Sequence, residues 1–438
     1  MKKQMDFPQT SRRDFLKTAA ATTSAMAVFA SPQIVSAQAN GANDRIGVGF
    51  IGTGGRCGAH LGIINNFKNA GIAEPVAVCD VYRPRLIAAS QKTGNSKMYD
   101  AHEELLQDKN VDVVCIASPD HHHAYQAIDA INAGKDVYCE KPLVHWTQFE
   151  VAKEIEKTAK AKGKLVQVGT QHMADDNYPK IRELIESGVI GKPVQVECGY
   201  FRRSDFGERM PIPDQNAKEG ADLNWKRFLQ HSPNENRPYD LSRFFQWRLY
   251  WDYAGGPSTD LLVHTYTPVF ALLGLDYPVR VFGGGGLFQY QETCPQREVP
   301  DQCNIIADYK GGPSVVMTNS LSNYYGKDTV IRGTDGVIIW GMIQGRSDAS
   351  KYNGVRIVPW VNGKEDKSKP EIIIPWAGNG DTTKLWKNLL ECVKTRQEVM
   401  CPISIGVKVQ APLSMGILSH RENKVATFDF EKQSIVMK

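Results

Sequence analysis

The feature that most constrains this chain is an apolar run that empties into glycines. Arg45 to Ile51 reads as a buried strand, and Gly52-Thr53-Gly54-Gly55-Arg56-Cys57-Gly58 follows at once, opening a helix through about Phe67. Strand, glycine turn and helix start in that order bring backbone N–H groups to one point, where a pyrophosphate is held. The third position of the G-x-G-x-x-G fingerprint is Cys57, small enough to keep helix against strand, and Gly58 comes one residue late. The next apolar run, Pro75 to Cys79, ends in Asp80, 28 residues beyond Gly52. A carboxylate there accepts from both adenosine ribose hydroxyls and repels a 2′-phosphate, which predicts NAD over NADP. Arg83 and Arg85 soften that preference. The cofactor contacts expected at this end are Gly52, Thr53, Gly54, Gly55, Arg56 and Asp80.

The alternation of strand and helix continues. Val111 to Ile116 is a strand, followed by Ser118-Pro119-Asp120-His121-His122-His123. Three consecutive histidines on a helix point about 100° apart and cannot all ligate one ion, so no metal is expected. We read a loop and helix start beside the cofactor, with Ser118, Pro119 and an inward His123 as contacts. Val137-Tyr138-Cys139-Glu140-Lys141-Pro142 is a strand delivering a carboxylate and a lysine to its carboxyl end, where ligands bind in open α/β sheets. A lone Glu-Lys pair there is often only a surface ion pair. A lysine in a cleft can also exchange a proton. Thr147-Gln148-Phe149-Glu150 predicts a capping box for a helix ending near Gly163. Leu165 to Val168 is another strand, leading to Gly169-Thr170-Gln171-His172, with Gln171 in the cofactor set. Residues 40–172 thus predict a Rossmann domain, a doubly wound parallel sheet.

After a helix from Tyr178 to Gly188 the pattern changes. Val194–Tyr200, Val279–Gly283, Asn304–Asp308, Ser314–Thr318, Thr329–Arg332 and Val337–Trp340 are strand-like with few helices between. This predicts, for residues 173–438, an α+β domain with a large, mainly antiparallel open sheet. Its final segment is free to pack back on the first domain. Residues 201–250 form a polar, aromatic insertion with Trp225, Arg243, Phe244, Phe245, Trp247, Arg248 and Tyr250. Aromatic faces beside arginines suit sugar rings and their hydroxyls, and equally suit a hydrophobic mini-core. Gly255-Gly256-Pro257 opens a helix carrying Asp260 and His264, four apart and so on one face. Such a pair is either structural or a proton-transfer couple.

Net charge is +4, but residues 1–39 hold five Lys/Arg against two Asp/Glu, leaving the rest near neutral. That argues against nucleic acid or an anionic membrane as partner. The leader itself carries Ser11-Arg12-Arg13-Asp14-Phe15-Leu16-Lys17, an apolar segment from Thr18 to Ala30, and Ala37-Gln38-Ala39. This is the twin-arginine signal pattern with a small-x-small cleavage site, which predicts a periplasmic or otherwise exported protein with no integral membrane segment after processing. The nine cysteines include no C-x-x-C, and only Cys294 and Cys303 are a pair to test for a disulfide.

Together, Gly52–Gly58, Asp80, Ser118–His123, Glu140-Lys141-Pro142 and Gly255–His264 resemble the family of glucose–fructose oxidoreductase, inositol dehydrogenase and MocA-like proteins (Gfo/Idh/MocA). The resemblance covers nearly the whole chain after the leader. It implies a Rossmann domain joined to an open-sheet domain, and an oxidoreductase acting on a sugar hydroxyl. Lys141, Asp260 and His264 map onto the catalytic positions, and Glu140 and Lys141 also onto cofactor contacts. Tyr200, Trp247 and Arg248, with those three, form the implied carbohydrate site. Many members carry Asn where this chain has Asp120. The resemblance also implies a dimer or tetramer. Twin-arginine export of a folded holoprotein would require NAD to stay tightly bound and be recycled. Oxidation of a glycoside, C3 being one position, then competes with redox-neutral glycoside cleavage. A non-catalytic sugar or nucleotide sensor is a third possibility, disfavoured by the intact Lys141, Asp260 and His264.

Overall fold

The computed structural model describes residues 45–203, 211–341, 354–375, 377–378 and 380–438. Residues 1–44, where the twin-arginine signal is expected, lie outside them. Along the chain run β1 (Ile46–Ile51), α1 (Gly55–Asn69), β2 (Ala73–Cys79), α2 (Arg83–Lys92), β3 (Lys97–Tyr99), α3 (His102–Leu106), β4 (Val113–Ile116) and α4 (Asp120–Asn132). Then come β5 (Asp136–Glu140), α5 (Phe149–Lys162), β6 (Val166–Gly169), α6 (Tyr178–Glu186) and β7 (Pro193–Phe201). The insertion holds α7 (Trp225–Leu229) and α8 (Leu241–Phe245), and a π turn (Ser258–Leu262) leads into α9 (Val263–Leu272). The remainder is β8 (Arg280–Gly286), β9 (Gln302–Asp308), β10 (Ser314–Ser320), β11 (Thr329–Gly333), β12 (Gly336–Trp340), β13 (Gly354–Val361), β14 (Lys364–Glu365), β15 (Ile372–Pro375), α10 (Thr382–Thr395), α11 (Ile403–Glu422), β16 (Ala426–Asp429) and β17 (Ser434–Met437).

The first sheet is parallel throughout, in the order β3-β2-β1-β4-β5-β6. Its β1, β4 and β5 are buried along their whole length, as a sheet covered on both faces requires. The second sheet has 11 strands in the order β14-β13-β12-β11-β7-β10-β9-β8-β16-β17, with β15 beside β13. Its pairs are antiparallel except β7 with β10. Both expected domain types are therefore present. Among the described residues no helix is long and apolar enough to cross a membrane.

The two halves interleave. Helix α10, late in the chain, puts Leu385, Trp386 and Leu389 into the core of the first domain with Val48, Phe50 and Tyr138. Trp386 stacks on Tyr138 with centroids 4.7 Å apart. Helix α11 covers one face of the second sheet, passing so close to β8 that a Cβ on Gly283 would lie 1.8 Å from the Gly416 carbonyl oxygen. One local expectation fails. Helix α5 starts at Phe149 without a side-chain cap. Thr147 turns its hydroxyl to His145 Nδ1 (2.8 Å) and Glu150 pairs with Lys153, so no capping box forms. All nine cysteines are buried and free, Cys294 and Cys303 included.

Candidate active site

Gly52 has φ +78, and a Cβ there would sit 2.6 Å from the backbone of Ser118, so its glycine is required by the chain's own crossing. Gly54 and Gly55 differ. A Cβ on Gly54 would meet only Arg85, at 3.7 Å, and one on Gly55 nothing within 4 Å. Both line a cavity of ≈ 380 Å³, within the roughly 300–1,000 Å³ of small-molecule sites. Their missing side chains keep open a space that nothing in the chain fills, at the N-terminus of α1, which fits a dinucleotide pyrophosphate. Asp80 anchors this loop. Its Oδ2 accepts from Thr53 N (2.6 Å) and Thr53 Oγ1 (2.9 Å), its Oδ1 from Tyr82 N (2.8 Å). Gly52→Ala is expected to destabilise the fold by ~1–3 kcal/mol through backbone strain. Gly55→Ala should leave the melting temperature unchanged and weaken nucleotide binding about tenfold or more, read by calorimetric titration beside thermal melts. Equal affinity for wild type and Gly55→Ala would remove the pyrophosphate from this point.

The cavity is lined by Gly52, Gly54, Gly55, Arg56, Asp80, Ser118 and Pro119, and also by Trp247 and Arg248. Thr53, His123, Glu140, Lys141 and Gln171 of the expected cofactor set are not in the wall. The hydroxyl of Thr53 is taken by Asp80. His123 sits between the Pro142 and Ser118 carbonyls (Nδ1 2.7 Å, Nε2 2.8 Å), its single N–H donating to one of them, where the loop after β4 meets the end of β5. Gln171 opens a 3₁₀ turn, Gln171–Ala174, beyond β6. Instead His122, Gln126, Arg85, Phe244 and Phe245 contribute wall residues. Of these only Gln126 carried no signal in the sequence: Arg85 follows Asp80, His122 is in the histidine run, and Phe244 and Phe245 belong to the aromatic insertion.

The insertion supplies the outer wall and is chiefly a mini-core: Trp225, Phe228, Phe244, Phe245 and Tyr250 are buried together. It is stitched to the first domain. His121 and His122 Nε2 both contact the Phe228 carbonyl (2.7 and 3.0 Å), and Arg227 pairs with Glu103 (2.8 Å). The Arg83 N–H donates to Asp222 O (2.8 Å), Asn224 N–H donates to Val81 O (2.9 Å), and Arg85 lies over Phe244 and Phe245. Nothing in strand or helix periodicity marks these partners.

Glu140 is a buried hub. Its Oε1 accepts from Arg56 Nε (2.9 Å), Arg56 Nη2 (2.8 Å) and His60 Nε2 (3.0 Å). Trp386 Nε1 donates to His60 Nδ1 (2.8 Å), so the His60 proton is on Nε2 and the ring is neutral. Burial favours the protonated acid, but Arg56 and His60 outweigh it and hold Glu140 ionised far below the usual carboxylate range. Arg56 also donates to Thr382 Oγ1 (2.8 Å). One carboxylate thus joins the glycine loop, the end of β5 and α10, immediately before Lys141.

Lys141 Nζ donates to Asp260 Oδ1 (2.7 Å) and to the Asp260 carbonyl (2.8 Å). Arg248 Nε approaches the same Oδ1 at 3.3 Å, and its guanidinium rests 4.1 Å from the Trp247 ring. Burial opposes ionisation of Asp260, yet Lys141 and Arg248 keep its carboxyl well below the usual range. The expected Asp260–His264 couple is corrected. The segment begins as a π turn, which breaks the i, i+4 alignment of an α-helix, and Asp260 turns to Lys141 while no described residue hydrogen-bonds the His264 ring. His264 lies between His172 (centroids 6.2 Å) and Tyr200 (5.8 Å). Burial and the Lys141 charge lower its pKa well below the ordinary value, so the ring is neutral. Asp120, buried at the start of α4, is pushed well above the usual range by burial, against the pull of Arg248. A neutral carboxyl presents one donor and one acceptor, as Asn does in many of the proteins this chain resembles.

A parallel sheet with a glycine cradle, joined to a sheet domain through a Lys–Asp contact, defines a two-domain dinucleotide-binding protein. Residues 46–170 match the model for the oxidoreductase family, NAD-binding Rossmann fold, and residues 182–428 that for the oxidoreductase family, C-terminal alpha/beta domain. The chain belongs to this Gfo/Idh/MocA oxidoreductase family. It is similar to inositol 2-dehydrogenase of Salmonella typhimurium, 35% identical over 164 residues, 37% of this chain and 46% of that protein. The match therefore spans about half of that relative's length. Myo-inositol 2-dehydrogenase of Thermotoga maritima is 28% identical over 283 residues, 64% of this chain and 70% of that protein. Among solved structures, the WlbA dehydrogenase from Bordetella pertussis in complex with NADH and UDP-GlcNAcA shares the fold, with TM-score 0.63 and 19% identity over 88% of this chain and 99% of that one.

Proposed function

We propose that the protein oxidises a secondary hydroxyl of a sugar or glycoside, C3 of a pyranoside being the first position to test, with a tightly held NAD. The observation that carries this reading is the Lys141 ammonium, fixed by two contacts to Asp260 and set beside the neutral His264 ring. Gly54, Gly55 and Arg56 would hold the pyrophosphate, and Asp80 the adenosine ribose, its charge favouring NAD over NADP. Bound NAD supplies the hydride acceptor. Lys141 holds the substrate oxygen and stabilises the alkoxide charge that develops there. The neutral His264 ring takes up the hydroxyl proton while Lys141 stays charged on the oxygen, and Asp260 offsets the lysine charge. Trp247, Arg248 and Tyr200 are the sugar-facing side chains.

The stitched insertion over the adenosine end supports slow nucleotide release, and so recycling of the cofactor within one active site. Export by the twin-arginine leader belongs to the same reading, and cell fractionation of the full chain tests it. The functional test starts with protein purified without its leader. A nicotinamide nucleotide is expected to survive gel filtration, and a glycoside panel should raise the near-ultraviolet band of the reduced form as a keto-sugar appears. Free sugar and aglycone with no net change in that band would instead mark redox-neutral cleavage. No nucleotide and no response would overturn the oxidoreductase reading.

The second sheet's outer face supports a homo-oligomer. Phe282, Ile306, Val316, Glu197, Val330, Ile339, Arg356 and Ile373 are successive cross-strand partners and so share one face. Six of these eight are apolar, with Phe282, Ile306 and Ile373 exposed and the other three half-buried, a stripe of the kind that marks an interface. Sedimentation should show a dimer or tetramer that Ile306→Glu dissociates. A monomeric wild type would end this proposal.

A further inference from the structure

His172 stands in the 3₁₀ turn just past the carboxyl end of β6, on the crevice side of the first sheet. It is 8% exposed. Six other histidines are as fully buried: His60, His102, His121, His122, His123 and His145. Each of those six makes at least one hydrogen bond through its ring, to a carboxylate, a hydroxyl or a backbone carbonyl. His172 makes none with any described residue, and its Nδ1 is enclosed without a partner. A buried polar ring without a partner is disfavoured in a folded chain, so its retention asks for a partner from outside. A proton on Nδ1 would be an enclosed donor with nothing to accept it. The ring proton therefore belongs on Nε2, leaving an uncommitted donor. Burial lowers the pKa to about 4, so the ring stays neutral near pH 7. Its neighbour is His264, edge-on at 6.2 Å, the imidazole beside Lys141.

We propose, on the reading above that this site handles a sugar hydroxyl, that His172 is a substrate-binding residue. Its Nε2–H donates to the hydroxyl next to the one held by Lys141 and His264. The recognised element is then a free vicinal diol, and a substrate substituted or deoxygenated at the neighbouring carbon is selected against. The low pKa keeps His172 out of proton transfer, so its effect falls on binding.

The test compares methyl β-D-glucopyranoside with its 2-, 3- and 4-deoxy analogues on the nucleotide-loaded full chain, for wild type, His172→Ala and His172→Gln. The analogue that abolishes turnover marks the reacting carbon, and the analogues at the adjoining carbons probe His172. Wild type is expected to prefer the diol over one of those analogues by roughly 10- to 100-fold in kcat/KM, mostly through KM. His172→Ala should narrow the ratio to within about threefold, and His172→Gln, which keeps a donor, should restore part of it. A ratio unchanged in His172→Ala overturns the proposal. A wild type that turns over no sugar in the panel speaks against the oxidation itself. His172 is then judged by imidazole NMR on nitrogen-15-histidine-labelled protein, assigned with His172→Gln. An Nε2–H ring whose signal moves on adding the glucoside supports the contact. An Nδ1–H ring, or no shift at saturating glucoside, overturns it.

Discussion

Lys141→Met is expected to lower turnover at least 10²–10³-fold while leaving nucleotide affinity within about threefold. Lys141 does not line the dinucleotide cavity, whereas Arg248, its neighbour on Asp260 Oδ1, does. The lysine thus sits where the cavity ends and a substrate oxygen would begin. Removing it deletes a cation from the point where alkoxide charge develops, an effect confined to the transition state. Methionine fills similar volume, and Arg248 remains to neutralise Asp260, so the fold should survive. Steady-state kinetics beside nucleotide titration separates the two effects. An equal loss of affinity and turnover would make Lys141 a cofactor ligand. A turnover within tenfold of wild type would remove it from the chemistry.

The local half of this site was legible. An apolar strand, a glycine turn, a helix and a strand-terminal acid lie within a short stretch of chain, and each states its conformation in its own residue types. Lys141 was legible for the same reason: the strand that carries it is apolar and the position past its end is fixed by topology. What failed was partnership. Glu140 was read as a cofactor contact because its place in the crevice is right, yet its partners Arg56 and His60, and Thr382 behind Arg56, come from elements that only tertiary folding brings near. Asp260 and His264 were paired by α-helical spacing, and a π turn has a different period. The insertion's aromatic residues could not be divided in advance between mini-core and cavity, because the same composition serves both. His172 went unmarked, since an unpartnered ring is a property of its surroundings alone.

The buried imidazoles make a second large effect: the protein should lose stability steeply below pH 6.5. Burial lowers His122 to about 3 and His145 and His172 to about 4, and also depresses His60, His121, His123 and His264. Unfolded histidine titrates near ~6.5. Below that pH the unfolded chain takes up protons that the folded chain refuses, so stability present above it is lost as pH falls towards the folded values. Two acids act in the opposite sense. Burial raises Asp175 to about 6 and Asp120 well above the usual range, so the folded chain holds their protons first. Seven imidazoles outweigh two carboxyls, so the net effect is a loss of stability as pH falls from about 6.5 towards 4.5. Glu140, held ionised in the fold, adds a further loss below ~4.3. The seam where His121 and His122 meet the Phe228 carbonyl is one place where this acts: burial first, then His122 beside His121 and His231 beside His122, oppose protonation against the pull of that carbonyl. Charging that seam would loosen the insertion from the nucleotide cavity, so bound nucleotide should leave at a higher pH than the one at which the core melts. Calorimetric melts from pH 7.5 to 4.5, with nucleotide release followed by fluorescence, test both statements, and His122→Gln should flatten the pH dependence of each. A melting temperature constant between pH 6.5 and 4.5 would show that the imidazoles are charged in the folded protein, and with it the neutral His264 on which the catalytic reading depends would be lost.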